Sequence, residues 1–207
     1  MVKRSLPIGV LALQGNFDSH LSCLQALPVD SLSVKKMSEL DSISGLIIPG
    51  GESSTMLRLM GDLFFHRLSE KIKSGFPIMG TCAGLILLAK TVNHPKQKSF
   101  SALDIKVQRN AYGTQTDSFI QTKLDWTDWG KKELTQFGAL PSRQNALFIR
   151  APKIESYADS VQVLAKHQDS AVIVRQNNAL GIAFHPELEP GFKVLHQYFA
   201  HLCQAAA

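Results

Sequence analysis

The sequence predicts an α/β fold: three layers, with a mainly parallel sheet between helices and an antiparallel extension. Three observations carry that expectation. Short apolar runs near 6–13, 30–36 and 45–49 alternate with longer amphipathic stretches near 17–26 and 53–73, the rhythm of strands joined by crossover helices. A further apolar run, Phe76-Pro77-Ile78-Met79, enters a glycine-flanked turn and then a helix-like run from Leu85 to Lys90. Beyond Thr91 the pattern changes. His94-Pro95-Lys96 marks a loop, and the pieces near 103–109, 118–124 and 146–150 read as antiparallel strands of an appended region, not a second domain.

The remaining elements follow in order. Ala171 to Arg175 and Ala179 to Phe184 flank turn-prone Asn177-Asn178, which predicts a hairpin. Gly191 to Gln204 is expected to close the chain as an amphipathic helix. No internal repeat or low-complexity linker appears, so residues 1–207 are expected to form a single domain. A composition of 44% hydrophobic and 19% charged residues suits one well-buried core.

The formal charge of +5 raises the question of nucleic acid, but the basic residues fall in scattered pairs such as Lys35-Lys36 and Lys131-Lys132. Without a basic stripe interleaved with aromatics they read as solvated faces, some of them suited to guiding an acidic partner. Cys23, Cys82 and Cys203 have no framework or metal spacing, which predicts reduced thiols and a cytoplasmic location. The basic start, Met1-Val2-Lys3-Arg4-Ser5, before an apolar run imitates a secretory leader. Pro7 interrupts that run and Gln14-Gly15 ends it, so a buried first strand is the expectation. No apolar segment is long enough to span a bilayer. His20, His66, His94, His167, His196 and His201 show no metal-ligand grouping and are expected mostly at the surface or an interface.

Three motifs carry chemistry. In Gly80-Thr81-Cys82-Ala83-Gly84 a cysteine sits on a strand-to-helix turn. Such a turn strains the backbone, lifts the side chain clear of the sheet edge, and crowds positions two residues either side, where glycine fits. It also sets the sulfur at a helix N-terminus, where free N–H groups favour a thiolate and hold a developing oxyanion. The competing reading is a buried structural cysteine beside glycines that serve packing.

About a hundred residues on, the strand-like Gly181-Ile182-Ala183-Phe184 runs into His185-Pro186-Glu187. In extended backbone, residues two apart project to the same side, which lets Glu187 meet one nitrogen of His185 while the other faces elsewhere. Pro186 steers His185 away from helical backbone. The roles expected are Cys82 as nucleophile, His185 as general base and acid, and Glu187 as orienting carboxylate. Alone, His-Pro-Glu reads as an ordinary turn; the cysteine elbow gives it a purpose.

The third motif, Pro49-Gly50-Gly51-Glu52-Ser53-Ser54, ends the strand-like Gly45 to Ile48 and starts a helix near Ser53. If that strand neighbours the one before Cys82, the N–H groups of Gly51 and Ala83 aim at one oxygen. Packing alone is the other explanation for the paired glycines. A phosphate loop is excluded, because no Gly-Lys-Ser/Thr ending follows. Leu13-Gln14-Gly15-Asn16-Phe17, after the first strand, carries no dinucleotide fingerprint.

Six blocks, in order and spacing, carry a family resemblance: Gly9 to Gly15, Pro49 to Ser53, Gly80 to Leu85, Arg109 to Gly113, Phe148 to Pro152 and Phe184 to Leu188. The chain resembles class I glutamine amidotransferases and, more narrowly, the glutaminase subunits of pyridoxal 5′-phosphate synthase. Cys-Ala-Gly-Leu after the elbow and Phe-Ile-Arg-Ala-Pro later set these apart from glutaminases that carry Cys-Leu-Gly. The resemblance implies a flavodoxin-like sheet, the Cys82, His185, Glu187 triad, and an oxyanion hole from Gly51 and Ala83. It also implies an L-glutamine site built from Gly51, Glu52, Ser53, Arg109, Ile149 and Arg150, with no cofactor and no metal. Arginine forks suit the amino acid's carboxylate and Glu52 its ammonium; alone, Arg109 or Arg150 reads as a solvated charge.

The chemistry implied is hydrolysis of glutamine to glutamate and ammonia through a Cys82 thioester. The partner implied is a barrel-shaped synthase subunit in a hetero-oligomer. Neither nucleic acid nor membrane is expected as a partner. The alternatives are a glutaminase of another amidotransferase, such as that of histidine biosynthesis, and a related α/β cysteine hydrolase. Gln108, Ala111, Tyr112 and Thr114 depart from the family's usual residues, and the stretch Asp125 to Gln144, with Trp126 and Trp129, is longer than its norm.

Overall fold

The computed structural model describes residues 6–109, 119–140 and 145–206. The first half is regular strand–helix alternation: β1 (Ile8–Leu11), α1 (Phe17–Gln25), β2 (Ser31–Val34), β3 (Gly45–Ile48), α2 (Ser53–Lys73), β4 (Ile78–Thr81) and α3 (Ala83–Leu88). Short strands follow: β5 (Ala89–Asn93), β6 (Leu103–Gln108), β7 (Phe119–Gln121) and β8 (Asp125–Trp126). After α4 (Asp128–Leu134) come β9 (Ala146–Phe148), β10 (Lys153–Tyr157), β11 (Gln162–His167), β12 (Ser170–Gln176) and β13 (Ala179–Ile182). Helix α5 (Lys193–Ala205) ends the chain.

An eight-stranded sheet in the order β2-β1-β3-β4-β13-β12-β11-β8 organises the molecule. The strands from β2 to β13 run parallel. β1, β3, β4 and β13 are buried along their whole length, as expected of parallel strands covered on both faces. The helices sort into two packed sets, α1 with α5 and α4, and α2 with α3. The antiparallel extension comes from β12, β11 and β8. Two-residue connections force that direction: Asp169 follows left-handed Gln168, and Asn178 follows left-handed Asn177, turns too short for a parallel crossover.

Several local expectations change. The helix after the elbow stops at Leu88, and Ala89–Asn93 becomes a strand, because Leu85 to Leu88 is apolar all round and its period does not separate helix from strand. Strands near 103–109 and 146–150 form two small sheets of their own, β10-β6-β5 and β7-β9, and β5 pairs with β6 in parallel. The stretch beginning at Asp125 contributes edge strand β8 and helix α4, with Trp126 and Trp129 packed on the core. Thr127 caps α4 by accepting from the Gly130 N–H, a signal present in the sequence but masked by surrounding charge. Ala111, Tyr112 and Thr114, with Asn110 and Gly113, lie outside the described residues, as do 1–5 and 141–144. Lys35, Lys36, Lys131 and Lys132 are exposed, and no described helix is long and apolar enough to cross a membrane.

Candidate active site

The strand order reverses between β1 and β3: the chain moves outward to β2, then crosses back past β1. In open α/β sheets, the carboxyl ends at such a reversal leave a crevice. Here the crevice is a cleft of about 360 Å³, bounded by the loops after β1, β3 and β4 and by the residues after β13. Gly51, Glu52, Ser53, Cys82, Ala83, Arg109, Ile149, Arg150 and His185 all border it.

Cys82 sits immediately after β4 with φ 49° and ψ −104°, a conformation L-residues avoid. Two things impose it. The Cys82 N–H is held by the Ile182 carbonyl at 2.9 Å, extending the β4–β13 ladder, while Ala83 already begins α3. A side chain on Gly80 would run into Gly84, and one on Gly84 into the Ile48 carbonyl, so both glycines are demanded by backbone approach. The strained elbow is therefore real. Helix α3 has only six residues, so its dipole contributes little, and the backbone N–H groups are the electrostatic resource that remains. The Cys82 thiol faces the Ile149 carbonyl at 3.8 Å. Arg150, next in the chain, also has a left-handed φ, 45°.

His185 follows β13, its N–H donating to the Leu147 carbonyl at 3.1 Å. Pro186 opens a single 3-10 turn over Pro186–Leu188, so the local backbone is not the extended one expected from the sequence. The contact forms nonetheless, with His185 Nδ1 2.8 Å from Glu187 Oε1. Glu187 lies behind the imidazole and away from the cleft, its side chain fully buried. Burial opposes a charge on His185, but the Cys82 sulfur and the Glu187 carboxylate outweigh it and hold the imidazole's pKa well above its ordinary value. Burial likewise opposes the Glu187 carboxylate, and the bond from His185 with the nearby histidines holds its pKa well below the usual range. Burial pushes the Cys203 thiol up to about 12 and also raises Cys23.

On the far side of the cleft, Arg109 donates to Glu52 Oε1 at 2.9 Å. The Arg109 side chain is only 9% exposed, which excludes the solvated-charge reading for it; Arg150 is exposed at the rim. Ser53 is buried, and its hydroxyl donates to Gln97 Oε1 at 3.0 Å.

Sequence reasoning missed the support around these groups. Gln14 Oε1 accepts from the Glu52 N–H at 2.7 Å, and the Asn16 N–H donates to the Gly50 carbonyl at 3.0 Å, so the loop after β1 braces the loop after β3. Because a trans peptide sets N–H opposite C=O, the Gly51 N–H points away from that brace. A side chain at Gly50 would collide with the His185 ring. Asn16 Nδ2 donates to Glu187 Oε1 at 3.3 Å. His20 and His196, expected mostly at the surface or an interface, are fully buried behind Glu187. The available signal was position: His20 falls on the apolar stripe Phe17, Leu21, Leu24 of α1, and His196 on the stripe that runs from Phe192, just before α5, to Phe199 and Cys203 within it.

The model of the SNO glutamine amidotransferase family matches residues 10–205. The pyridoxal 5′-phosphate synthase subunit PdxT of Thermosipho africanus is 46% identical over 198 residues, 95% of this chain and 98% of that protein. Its counterpart from Carboxydothermus hydrogenoformans is also 46% identical, over 94% and 96% of the two chains. A crystal structure described as a glutamine amidotransferase superposes with a TM-score of 0.82 at 36% identity, covering 95% of this chain and 98% of that one. The structure of PurLQS from Thermotoga maritima, at 16% identity and a TM-score of 0.64, shares the fold.

Proposed function

We propose, from the premise that this chain belongs to the SNO glutamine amidotransferase family, that it is the glutamine-hydrolysing subunit of a pyridoxal 5′-phosphate synthase. The observation that carries the reading is the convergence, at the carboxyl ends of β3, β4 and β13, of a strained cysteine, a carboxylate-backed histidine and a backbone turn around one cleft. The cleft also offers Arg109 and Glu52, opposite charges suited to the carboxylate and ammonium of a free amino acid; a peptidase has no need of both.

The reaction is stepwise acyl transfer. The Cys82 thiolate attacks the side-chain amide carbon of glutamine, and the N–H groups of Gly51 and Ala83 receive the oxyanion. His185, protonated at the nitrogen facing the sulfur, gives that proton to the departing nitrogen, and ammonia leaves with a thioester behind. His185 then removes a proton from water, which adds to the thioester carbon. Collapse of the second oxyanion releases glutamate and restores the thiolate–imidazolium pair. Glu187 orients the imidazole throughout and stabilises its charged form. Arg109, Arg150 and the Ile149 backbone, with Gly51, Glu52 and Ser53, hold the substrate, whose charged ends exchange with the Glu52–Arg109 pair.

Ammonia is mostly protonated near neutral pH, and ammonium is no nucleophile, so the product must pass directly into a second site. A barrel-shaped synthase subunit, docked in a cytoplasmic hetero-oligomer, would receive it, with residues 1–207 acting as one glutaminase domain. The test is to mix the chain with such a synthase subunit and compare cofactor formation from glutamine and from ammonium. Cys82→Ala is expected to abolish the first and spare the second. Glutamine-supported formation that survives in Cys82→Ala overturns the reading.

A further inference from the structure

The Glu187 carboxylate has two faces. Its Oε1 is taken by His185 and Asn16. Its Oε2 is buried and makes no well-formed hydrogen bond among the described residues; the nitrogen facing it is His20 Nε2, 3.3 Å away. That same nitrogen is 3.1 Å from Thr81 Oγ1, on the residue before the nucleophile. The other nitrogen of His20, Nδ1, is 2.9 Å from His196 Nε2, and His196 Nδ1 is buried with no partner among the described residues. A continuous buried row thus runs from α5 through α1 to the triad: His196, His20, Glu187, His185, Cys82.

The partners decide where the protons sit. Suppose His20 carried its proton on Nδ1. The Nε2 lone pair, with only the Thr81 hydroxyl to donate to it, would then face the carboxylate, and His196 would leave an N–H buried without an acceptor among the described residues, the more costly kind of orphan. With the proton on Nε2, the N–H dipole points its positive end at Thr81 and Glu187, and Nδ1 accepts from the His196 N–H. Within the histidine pair, the group left unmet among the described residues is then one lone pair on His196. Burial keeps both rings neutral, with pKa values lowered to about 4 for His20 and about 3 for His196, Glu187 acting the other way on each. The proton order then continues outward: Glu187 accepts from His185 Nδ1–H, which leaves His185 Nε2 for the chemistry at Cys82.

We propose that His20 is a positioning residue for glutamine hydrolysis: its Nε2–H fixes the inner face of Glu187, and His196 in turn fixes the tautomer of His20. The claim rests on the glutaminase reading for its catalytic consequence, but the geometry it invokes is independent of substrate. A neutral donor suits this place better than a cation. It orients the carboxylate without cancelling the charge that His185 requires, as a lysine or arginine would.

Two polar variants separate positioning from mere filling. In His20→Gln the amide nitrogen reaches the Nε2 position and restores the donor to Glu187. In His20→Asn the amide reaches only the Nδ1 position, so the contact with His196 survives and the one with Glu187 is lost. Thermal unfolding establishes that each variant is folded. Two readouts are then taken: kcat and KM for glutamine with the synthase subunit present, and the pH dependence of Cys82 alkylation by iodoacetamide on the chain alone, with Cys82→Ser giving the background from Cys23 and Cys203.

His20→Asn is expected to lower kcat about 10-fold with KM within about twofold, as for loss of a donor that faces a charged group at less than full hydrogen-bond strength, and to move the alkylation profile to higher pH. His20→Gln is expected to stay within about threefold of wild type in kcat, with an unmoved profile. Equal losses in the two variants, or an unchanged kcat and profile in His20→Asn, overturn the proposal. If wild type hydrolyses no glutamine, the functional reading fails, while the alkylation profiles still judge the role of His20.

Discussion

Replacing Glu187 with glutamine tests the central electrostatic claim, because it keeps the shape and removes the charge. The N···O separation is 2.8 Å and both side chains are at most 10% exposed, so solvent screening is slight. At an effective dielectric near 20, unit charges at that distance attract by about 6 kcal/mol. Desolvation offsets much of this, and hydrogen bonds to charged groups contribute about 1.5–3 kcal/mol net. A loss of about 2–3 kcal/mol in transition-state stabilisation corresponds to a fall of about 30- to 150-fold in kcat/KM. The sign of the pH effect follows from the raised pKa of His185. The carboxylate keeps the imidazole protonated to higher pH, so its removal should draw the alkaline limb of the kcat/KM profile toward neutrality. The assay is glutamate release from glutamine across pH, with the synthase subunit present. Activity within threefold of wild type and an unmoved alkaline limb would refute the reasoning.

The strain at Cys82 should be visible as stability: Cys82→Gly is expected to exceed Cys82→Ala by about 1 kcal/mol or more, about 2–4 °C in Tm for a chain of this size, reversing glycine's usual disadvantage. Arg109→Ala should raise KM for glutamine by about 30- to 150-fold with kcat much less affected, if Arg109 holds the amino acid as proposed; an unchanged KM would remove Arg109 from the substrate site. The buried histidines predict acid lability. Their folded pKa values are about 4 and about 3, below the ordinary 6.5, so the unfolded chain binds more protons as pH falls below 6.5, and stability drops by up to about 1.4 kcal/mol per pH unit for each ring until its folded value is reached. Glu187, with its depressed pKa, adds to the loss below about 4.5. Denaturant unfolding between pH 7 and 4.5 checks this, and His196→Leu should reduce the slope by about one proton.

Much of the molecule was legible residue by residue. The strands Ile8–Leu11, Gly45–Ile48 and Ile78–Thr81, the helix Ser53–Lys73 and the hairpin at Asn177-Asn178 carry local signals, because burial on both faces demands unbroken apolar runs and tight turns demand particular residues. The elbow was legible in part for the same reason, since Gly80 answers a local clash with Gly84, whereas Gly84 answers the approach of the Ile48 carbonyl from β3. The helix α4 and strand β8 were not, because their polar composition hides a fold dictated by docking on β11.

What the sequence determined by itself was the chemistry available: a cysteine with two flanking glycines, a histidine with a carboxylate two residues on, and a paired-glycine turn. Only the tertiary structure decided what stands behind them. The parallel pairing of β13 with β4 brings His185 beside Cys82 across a separation no sequence pattern encodes. The packing of α1 on α5 turns two histidines that look like surface residues into a buried row ending at Glu187. Side-chain identity is a local property, whereas burial and hydrogen-bond partnership are set by which faces distant elements present to one another.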